Sequence, residues 1–543
     1  MAEQEHINMK TLYFGGPILT MDRADPRAEA VLTEDGRIIA VGSLSELEKM
    51  SKGARREDLN GRTLMPSFVD GHGHMMGMGL FSLTCDLTGC VDFNDLLGRI
   101  RRFRSEKNLT HGEAILCRGY DNASMKENRH PDAALLDSLG FDNPIVCLHQ
   151  SGHMLGCNTA AMKARGVDDD YIFPEGGYAA RDAEGHLTGF FEENAKQPIF
   201  TFFESYTDEQ CEEAILSAQE YYFSRGVTTI QDGSGHGPKR LALYEKLAAA
   251  GKLKADIVVY ISSKPEDADF WREVQRKYGI RKYYNHLKIG GIKLMLDGSP
   301  QARTAWMKQP YLGGEEGYCG YPILTDERVF EILCSAIDHD LQPIAHCNGD
   351  AAAEQFLSAW ERAIAKKGKG SYLRPVMIHA QTVNYDQLDR MSAVGMMPSF
   401  FVGHCFFWGD THLKNFGAER GNRISPVKAA IDRGLHYNFH QDSPVTRPEM
   451  LHTVWCAVNR ITKSGICIGP ENRIGIYDAL IGVTNGGAYS YFEEDVKGIL
   501  SSDAVADMVI LDKDPTDVPP MEIKDIRVIK TIKDGEVVFD IEK

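Results

Sequence analysis

The sequence predicts an α/β protein: a TIM-like (β/α)8 barrel with a composite β-sandwich domain formed by both chain ends. Two observations carry this prediction. Eight apolar, strand-like runs alternate with helical stretches through the middle of the chain, which is typical of parallel strands buried on both faces. The two chain ends instead contain short β-rich runs, and each end has an Asp-Gly pair that is typical of a hairpin turn.

The terminal β-rich segments cover residues 1–65 and 490–543, and we expect one domain from them because chain termini often lie close together. Asp35-Gly36 and Asp534-Gly535 mark the expected hairpins. The barrel is expected over residues 66–489. The predicted barrel strands are 63–74, 226–233, 254–262, 287–298, 341–350, 375–381, 395–404 and 434–442. The long interval after the first of them predicts an inserted subdomain over about 80–220.

Composition excludes several classes of function. The 543 residues are 43% hydrophobic and 25% charged, an ordinary globular mixture, and the net charge of −17 argues against nucleic acid as a partner. The first residues lack the apolar core of a signal peptide, and no apolar run approaches the ~20 residues that cross a bilayer. The twelve cysteines include no CxxC pair, which favours reduced thiols. We therefore expect a cytoplasmic protein that acts on a small molecule away from membranes, with a homodimer as the usual prior.

Candidate metal ligands follow several of the predicted strands. His72 and His74 are two residues apart, so their side chains share one face of a strand and can hold one cation. His346, His379 and Asp442 end the fifth, sixth and eighth strands. A single histidine there is more often a packing residue, and an aspartate is commonly a helix N-cap. Their coincidence at the carboxyl ends of one barrel nevertheless favours a metal site.

Lys293 lies inside an apolar run, Ile292 to Leu296. An unpaired buried ammonium is costly, so such a lysine loses its proton or finds a partner. A neutral amine can react with carbon dioxide to give a carbamate, an anion that can bridge two cations. Alternatively, Lys293 pairs with Asp297 or a neighbouring carboxylate. The residues alone leave both alternatives open.

Five motifs carry a family resemblance: MPSFVDGHGH, IKLMLDGSPQARTAWM, PIAHCNGDAA, MIHAQ and HQDSPV. In this order and over nearly the whole chain, they resemble the amidohydrolase superfamily, in particular its amidohydrolase-3 branch of YtcJ-like proteins and N-substituted formamide deformylase. The resemblance implies a TIM-like barrel with a composite β-sandwich and hydrolysis of C–N bonds other than peptide bonds. The chain departs from the family pattern at Gly298-Ser299-Pro300-Gln301 and at Asn348, which leaves the substrate open.

The resemblance also implies roles for the candidate ligands. The histidine pair of the first strand and Asp442 would bind the more buried ion, and Asp442 would act as general base and then general acid. Lys293, as its carbamate, would bridge to a second ion held by His346 and His379. Zinc suits an imidazole-rich site with open water positions, and manganese or iron is the alternative.

Four further residues are candidates for substrate binding. His153 and Asn158, in SGHMLGCNTAAM, resemble a motif of the branch and would line the pocket; a helix-start hydrogen-bond network is the alternative. Arg303 follows the fourth strand and would orient a polar substrate or pair with Asp297. His440 shares a strand face with the aspartate of the eighth strand and would compete as a ligand or contact substrate.

Three functions follow from these residues. The leading hypothesis is hydrolysis of a small amide, formamide or lactam by metal-activated water. A metal-dependent lyase such as a decarboxylase is an alternative on the same barrel, and it needs a carboxylate anchor, for which Arg303 is the candidate. A binding or regulatory protein without activity would normally have lost ligands, and none is lost here.

Overall fold

The computed structural model describes residues 10–174, 177–279 and 281–543. Residues 1–9, 175–176 and 280 belong to the predicted terminal domain, insert and barrel, and lie outside the described residues. The described chain contains sheets of eight, six and nine strands. It divides into two compact units, Met1–Met75 with Leu216–Lys543, and Met76–Ile215. The domain boundaries at 65, 80, 220 and 490 stay predictions.

Eight strands of the nine-stranded sheet lie side by side in parallel, in chain order. Each falls within one of the eight predicted barrel strands or overlaps it. The two edge strands are joined beyond their ends by the parallel bridge Gly73–Ser443, which is consistent with a TIM-like barrel. The strands are β1 (Phe68–Val69), β2 (Val227–His236), β3 (Asp256–Ser262), β4 (Leu287–Met295), β5 (Gln342–Cys347), β6 (Val376–His379), β7 (Met397–Phe400) and β8 (Asn438–Phe439). The ninth strand, Tyr283–Tyr284, pairs antiparallel with β4.

Helices separate these strands, as the βαβ alternation predicts. Asp326–Asp338, between β4 and β5, starts at Thr325, whose side chain accepts the Arg328 N–H. Asp350–Lys367 ends at Gly368, which takes a left-handed φ of 65°. The α-helices after residue 205 are Asp208–Phe223, Pro238–Ala249, Ala268–Tyr278, Asp326–Asp338, Asp350–Lys367, Tyr385–Ala393, His404–Phe407, Gly409–Asn422, Val427–Asp432, Met450–Asn459, Ile476–Gly482 and Asn485–Ser490. Short 3-10 helices of this part are Pro265–Asp267, Ser371–Leu373, Pro470–Asn472 and Pro520–Asp525.

The chain ends form the eight-stranded sheet, seven strands of which are connected in one hydrogen-bonded path. Both Asp-Gly hairpins are confirmed: Asp35 and Gly36 have φ of 47° and 78°, and Asp534 and Gly535 have 50° and 78°. Two consecutive positive φ angles are typical of a type I′ turn. The arrangement of this sheet as a sandwich stays a prediction. In order across the sheet, the strands are Glu536–Asp540, Val528–Lys533, Met508–Leu511, Thr63–Pro66, Thr11–Leu19, Arg27–Glu34 and Arg37–Gly42, with Arg55–Asp58 also on Thr11–Leu19 and the helix Leu44–Met50 beside it.

The first predicted barrel strand, residues 63–74, is divided between two sheets. Thr63–Pro66 pairs antiparallel with Met508–Leu511 of the terminal sheet, whereas β1 pairs with β2. The N–H of Ser67 donates to the carbonyl of Asp507 at 3.0 Å, next to the terminal sheet. The N–H of Phe68 donates to the carbonyl of Gly226 at 2.8 Å, next to β2. The prediction of one strand was wrong because an apolar run shows where a strand forms, not which neighbour accepts its hydrogen bonds.

The second unit contains the six-stranded sheet and five α-helices along its segment. Across the sheet the strands are Gly177–Arg181, Leu187–Glu193, Met154–Cys157, Ile145–His149, Ile115–Tyr120 and Cys85–Asp86. The helices are Met75–Phe81, Phe93–Glu106, Ala133–Asp137, Thr159–Ala164 and Gln197–Phe200, with 3-10 helices at Asn122–Ser124, Asn194–Lys196 and Thr201–Glu204.

The cysteines and the lengths of the helices bear on two further predictions. Each of the twelve cysteines lies in a described segment and is a free thiol. Within the described ranges, every helix is too short or too polar to cross a bilayer.

Candidate metal centre

Three predicted ligands from two edges of the parallel sheet meet beyond the strand ends. Nε2 of His74 lies 3.0 Å from Oδ1 of Asp442, and Nε2 of His72 lies 3.4 Å from the same oxygen. One ligand atom from each of the three residues lies within 4.8 Å of the other two. The HxH motif follows β1 and Asp442 follows β8, so the bridge between the two edge strands brings them together.

Two residues of β2 orient both imidazoles of the HxH motif. Nδ1 of His72 lies 2.5 Å from the side-chain oxygen of Gln231, and Nδ1 of His74 lies 3.0 Å from the hydroxyl of Ser234. Because the Gln231 amide oxygen only accepts, His72 carries its proton on Nδ1. Its Nε2 therefore presents a lone pair to the site, the state in which imidazole binds a metal.

His346 and His379 stand next to this group, at the ends of β5 and β6. Their ring centroids are 4.5 Å apart, and Nε2 of His379 lies 3.9 Å from Oδ2 of Asp442. Nδ1 of His346 lies 3.0 Å from the Asp297 carboxylate, and its Nε2 lies 3.3 Å from the side-chain amide of Asn348. The structure thus brings the five candidate ligands of the sequence into one neighbourhood.

The backbone is strained at two of these ligands. His379 has a φ of 72° and Asp442 a φ of 52°, both in the left-handed region that non-glycine residues avoid. Such conformations cost of order 1–3 kcal/mol each and cluster at functional sites. His379 is the last residue of β6, and Asp442 lies three residues beyond the end of β8.

Lys293 on β4 also reaches the centre. Its Nζ lies 3.1 Å from Nε2 of His72, and burial lowers the pKa of Lys293 to about 8. The alternative pairing with Asp297 is not observed, because that carboxylate accepts from His346 and from three backbone N–H groups instead. An amine with a lowered pKa is more often neutral, which is the form that reacts with carbon dioxide.

His440 lies inside the centre and is fully buried. Its Nδ1 lies 2.8 Å from the hydroxyl of Ser399, and its Nε2 lies 3.2 Å from Nδ1 of His379. Burial lowers the pKa of His440 to about 3, so the ring is neutral. Since both ring nitrogens already have partners, these contacts favour a role in positioning His379 over direct ligation.

The other three substrate-binding candidates have structural partners. Asn158 is fully buried at a helix start: its side-chain oxygen accepts the N–H of Ala161 at 3.0 Å and that of Ile145 at 2.8 Å. This is the helix-start network that the sequence left as the alternative. Nδ1 of His153 lies 3.0 Å from the carboxylate of Glu193 within the second unit, and its substrate contact stays a prediction.

Arg303 does not pair with Asp297, contrary to one of its two predicted roles. Its Nε donates to the side chain of Asn415 at 2.9 Å, and its Nη1 donates to the carbonyl of Gly313 at 3.1 Å. The residue has a φ of 61°, so the chain turns sharply after β4 and directs the guanidinium to these neighbours. These contacts leave the predicted carboxylate anchor without support.

Sequence reasoning missed the residues that orient the ligands. Gln231, Ser234 and Ser399 touch histidines that are far away in the chain, so no local pattern marks them. Asp297 does have a local signal, because it directly follows the apolar run of β4, but the sequence suggests it only as a partner for Lys293 or Arg303.

The chemistry of the donor set fits a divalent cation. Burial lowers the pKa of His72 and His379 well below the ordinary value, so both rings are neutral and each can offer a nitrogen lone pair to a metal ion. Burial alone would raise the pKa of Asp442, but the neighbouring imidazoles, above all that of His74, hold it well below its ordinary value. Oδ1 of Asp442 and Nε2 of His379 are both buried without a hydrogen-bond partner. Neutral imidazoles around an ionised carboxylate, with buried acceptor atoms unpaired, are suited to hold a metal ion.

The fold and the site together are those of a barrel hydrolase, and comparison with known proteins gives the family. The chain belongs to the amidohydrolase family, whose model matches residues 56–539. The family resemblance predicted from the motifs is confirmed.

Individual relatives match nearly end to end. The chain is 26% identical to the putative amidohydrolase YtcJ of Bacillus subtilis, over 98% of this chain and 100% of the relative. It is 24% identical to the N-substituted formamide deformylase of Arthrobacter pascens, over 96% of this chain and 97% of the relative. A crystal structure of an uncharacterized metal-dependent hydrolase from Pyrococcus horikoshii OT3 superposes with a TM-score of 0.77 at 24% identity, covering 94% of this chain and 99% of that one. At this identity the last match shows a shared fold.

Proposed function

We propose that the protein is a metal-dependent hydrolase that cleaves a C–N bond other than a peptide bond in a small molecule, such as an amide, formamide or cyclic amide. The observation that carries this proposal is the convergence of four imidazoles, the Lys293 amine and one ionised carboxylate, Asp442, from five separate segments. The similarity to an N-substituted formamide deformylase supports the choice of bond.

We assign the cation ligands as the sequence predicts them. The histidine pair after β1 and Asp442 would hold the more buried ion, and His346 and His379 would hold a second ion. Lys293, as its carbamate, would bridge the two. Zinc is the proposed metal, with manganese or iron as the alternative. When bound, such ions acidify a water molecule towards neutral pH and polarise a carbonyl oxygen.

Asp442 would handle the proton of the reaction. Its carboxylate stays ionised because the surrounding imidazoles lower its pKa, so it can accept the proton of the attacking water. The same carboxyl would then return that proton to the leaving nitrogen, which must depart as a neutral amine. His440 would keep the ring of His379 in place through the contact at 3.2 Å.

The lyase alternative receives no support from the site. A decarboxylase needs a cation that anchors the substrate carboxylate, and the sequence offered only Arg303 for that role. In the structure this guanidinium binds Asn415 and the Gly313 carbonyl. The hydrolase therefore remains the function that the geometry supports best.

The test combines metal analysis with a substrate panel. The purified protein is expected to contain one to two equivalents of a transition metal, to lose activity on exhaustive chelation and to regain it with zinc or manganese. Amine or ammonia release from formamides, lactams and N-acyl amines would be measured beside carbon dioxide release from carboxylic acids. Full activity after chelation would refute the metal centre, and carbon dioxide release without amine release would refute the hydrolase.

A further inference from the structure

A second histidine pair, outside the proposed ligand set, lies after β7. Nδ1 of His404 is 3.0 Å from Nε2 of His412. The two rings are coplanar within 4°, and their centroids are 5.2 Å apart. This is the geometry of an in-plane hydrogen bond between two ring nitrogens, so one ring must donate and the other accept. Burial lowers the pKa of both residues, that of His412 to about 3, and both rings are therefore neutral.

The surroundings of His412 decide which ring donates. The ring is fully buried, and its Nδ1 has no hydrogen-bond partner. If His404 donated from Nδ1, then His412 would carry its own proton on Nδ1, as a buried N–H without an acceptor. Unpaired buried N–H groups are rarer than unpaired acceptors, and leaving one costs about 1–3 kcal/mol. His412 therefore donates from Nε2, and the proton of His404 lies on its Nε2.

One aromatic side chain separates the ring of His404 from His440 of the metal centre. The ring of Phe401 packs between His404, at 4.7 Å, and His440, at 5.4 Å between centroids. Nε2 of His404 has no hydrogen-bond partner among the described residues and, unlike Nδ1 of His412, is not sealed from solvent.

We propose that His404 contacts the substrate, donating a hydrogen bond from Nε2 to a substrate oxygen, and that His412 is the positioning residue that fixes its tautomer. The substrate class is a small amide whose acceptor oxygen adjoins an aromatic or apolar group, because Phe401 and Trp408 flank the donor. This inference rests on the proposed hydrolase function. It adds a specificity residue that is neither a metal ligand nor a contact of one.

The tautomer of His404 can be determined without an activity assay. Nitrogen-15 NMR of the full-length, histidine-labelled protein distinguishes protonated from unprotonated ring nitrogens, and His404→Leu identifies the signals of that ring. We expect His404 to carry its proton on Nε2 in the wild type and in His412→Gln, whose amide can still donate. In His412→Leu the two tautomers should mix. A proton on Nδ1 of wild-type His404 would overturn the assignment.

The contact itself is tested by kinetics on the metal-loaded enzyme with 4-nitroformanilide, whose hydrolysis gives formate and a coloured amine. His404→Leu should lower kcat/KM about 10²-fold if the oxygen gains charge in the transition state. His404→Gln, which keeps a donor, should recover part of that loss, and metal content should be unchanged in both. The His412→Leu variant should lose more kcat/KM than the His412→Gln variant.

The outcomes separate the two proposals. Wild-type turnover that His404→Leu leaves unchanged would overturn the contact and leave the hydrolase intact. A metal-loaded wild type that hydrolyses neither 4-nitroformanilide nor any other amide of the panel would overturn the hydrolase, and the contact with it. A loss of folding in His404→Leu would show in its melting curve, and the His404→Gln and His412 pair would then decide the question.

Discussion

The carboxylate of Asp297 holds the ring of His346: Nδ1 of the imidazole lies 3.0 Å from Oδ1 of the carboxylate. Two backbone N–H groups, from Asn348 and Gly349, donate to the same carboxylate at 3.0 and 2.7 Å and fix it in turn. Because a carboxylate only accepts, the proton of His346 lies on Nδ1, and the lone pair of Nε2, which faces the side-chain amide of Asn348 at 3.3 Å, is the one that a cation would take. This is a carboxylate–histidine pair of the kind that supports metal sites.

Asp297→Asn should weaken metal binding at the position held by His346 and His379. The neutral amide places an NH2 group among N–H donors, so the ring loses its anchor and some of its basicity. We expect the affinity of that metal position to fall about 10- to 100-fold. Metal titration followed by calorimetry measures it. Asp132→Asn, which changes a helix N-cap in the other unit, is the matched control and should bind metal as the wild type does. Equal affinity in the two variants would contradict the role of Asp297.

Asp442→Asn tests the proton transfer. The amide oxygen can still bind a cation, but it cannot take the proton of the attacking water. We expect the variant to retain most of its metal and to lose turnover by about 10²- to 10⁴-fold. Metal content by mass spectrometry and single-turnover rates are measured on the same sample. Near-normal turnover would remove Asp442 from the mechanism.

Lys293→Ala tests the carbamate. The variant should lose the second equivalent of metal and most of its activity, and a short carboxylic acid such as formate or acetate should restore part of both. Lys288→Ala is the matched control, because Lys288 is a buried lysine on the same strand that instead bonds Glu493 at 2.7 Å. That variant should lose stability but keep its metal. Failure of every short acid to rescue Lys293→Ala, with metal still bound, would contradict the bridging role.

A buried ion cluster at the start of β3 predicts a pH dependence of stability. Lys497 and Lys533 lie 2.7 and 3.1 Å from Oδ2 of Asp256. Burial alone would raise the pKa of Asp256, but the two lysines hold it well below the ordinary value of 3.8. A lowered folded-state pKa contributes stability above the unfolded-state value, and that stability is lost as the pH falls from about 4 through the folded-state pKa.

Asp256→Asn should therefore lower the free energy of unfolding at pH 7 by about 3 kcal/mol, because it leaves two buried ammonium groups short of a partner. The difference from the wild type should shrink below pH 4, where the Asp256 carboxyl of the unfolded chain begins to be protonated. Urea denaturation from pH 7 to pH 3 measures both effects. Asp432→Asn removes an exposed partner of Lys428 and should change little at any pH. A constant difference across this range would contradict the assignment.

Much of this fold and site follows from local sequence. The apolar runs predict all eight parallel strands because burial on both faces leaves a continuous signal, and the Asp-Gly pairs predict both hairpins because few other residues adopt two left-handed angles in succession. The candidate ligands were recognisable because they lie near or just beyond the carboxyl ends of parallel strands, which meet at one edge of the sheet.

What the sequence does not reveal depends on contacts between distant segments. The hydrogen bond of Gln231 to His72 joins residues 159 positions apart, and no local pattern encodes the rotamers that form it. The turn at Arg303, which carries its guanidinium to Asn415, depends on a left-handed φ that an arginine rarely adopts. The sequence also gives no sign of the change of sheet at Ser67, because the residues before and after it are apolar and favour strands.

That change of sheet has a consequence for how the protein is made. Thr63–Pro66, the segment that leads into the HxH motif, hydrogen-bonds to Met508–Leu511. On the ribosome, this segment and the two histidines that follow it are synthesised more than 400 residues before the strand that pairs with the segment. A stop codon shortly before residue 508 would therefore release a polypeptide in which this segment lacks its antiparallel partner strand.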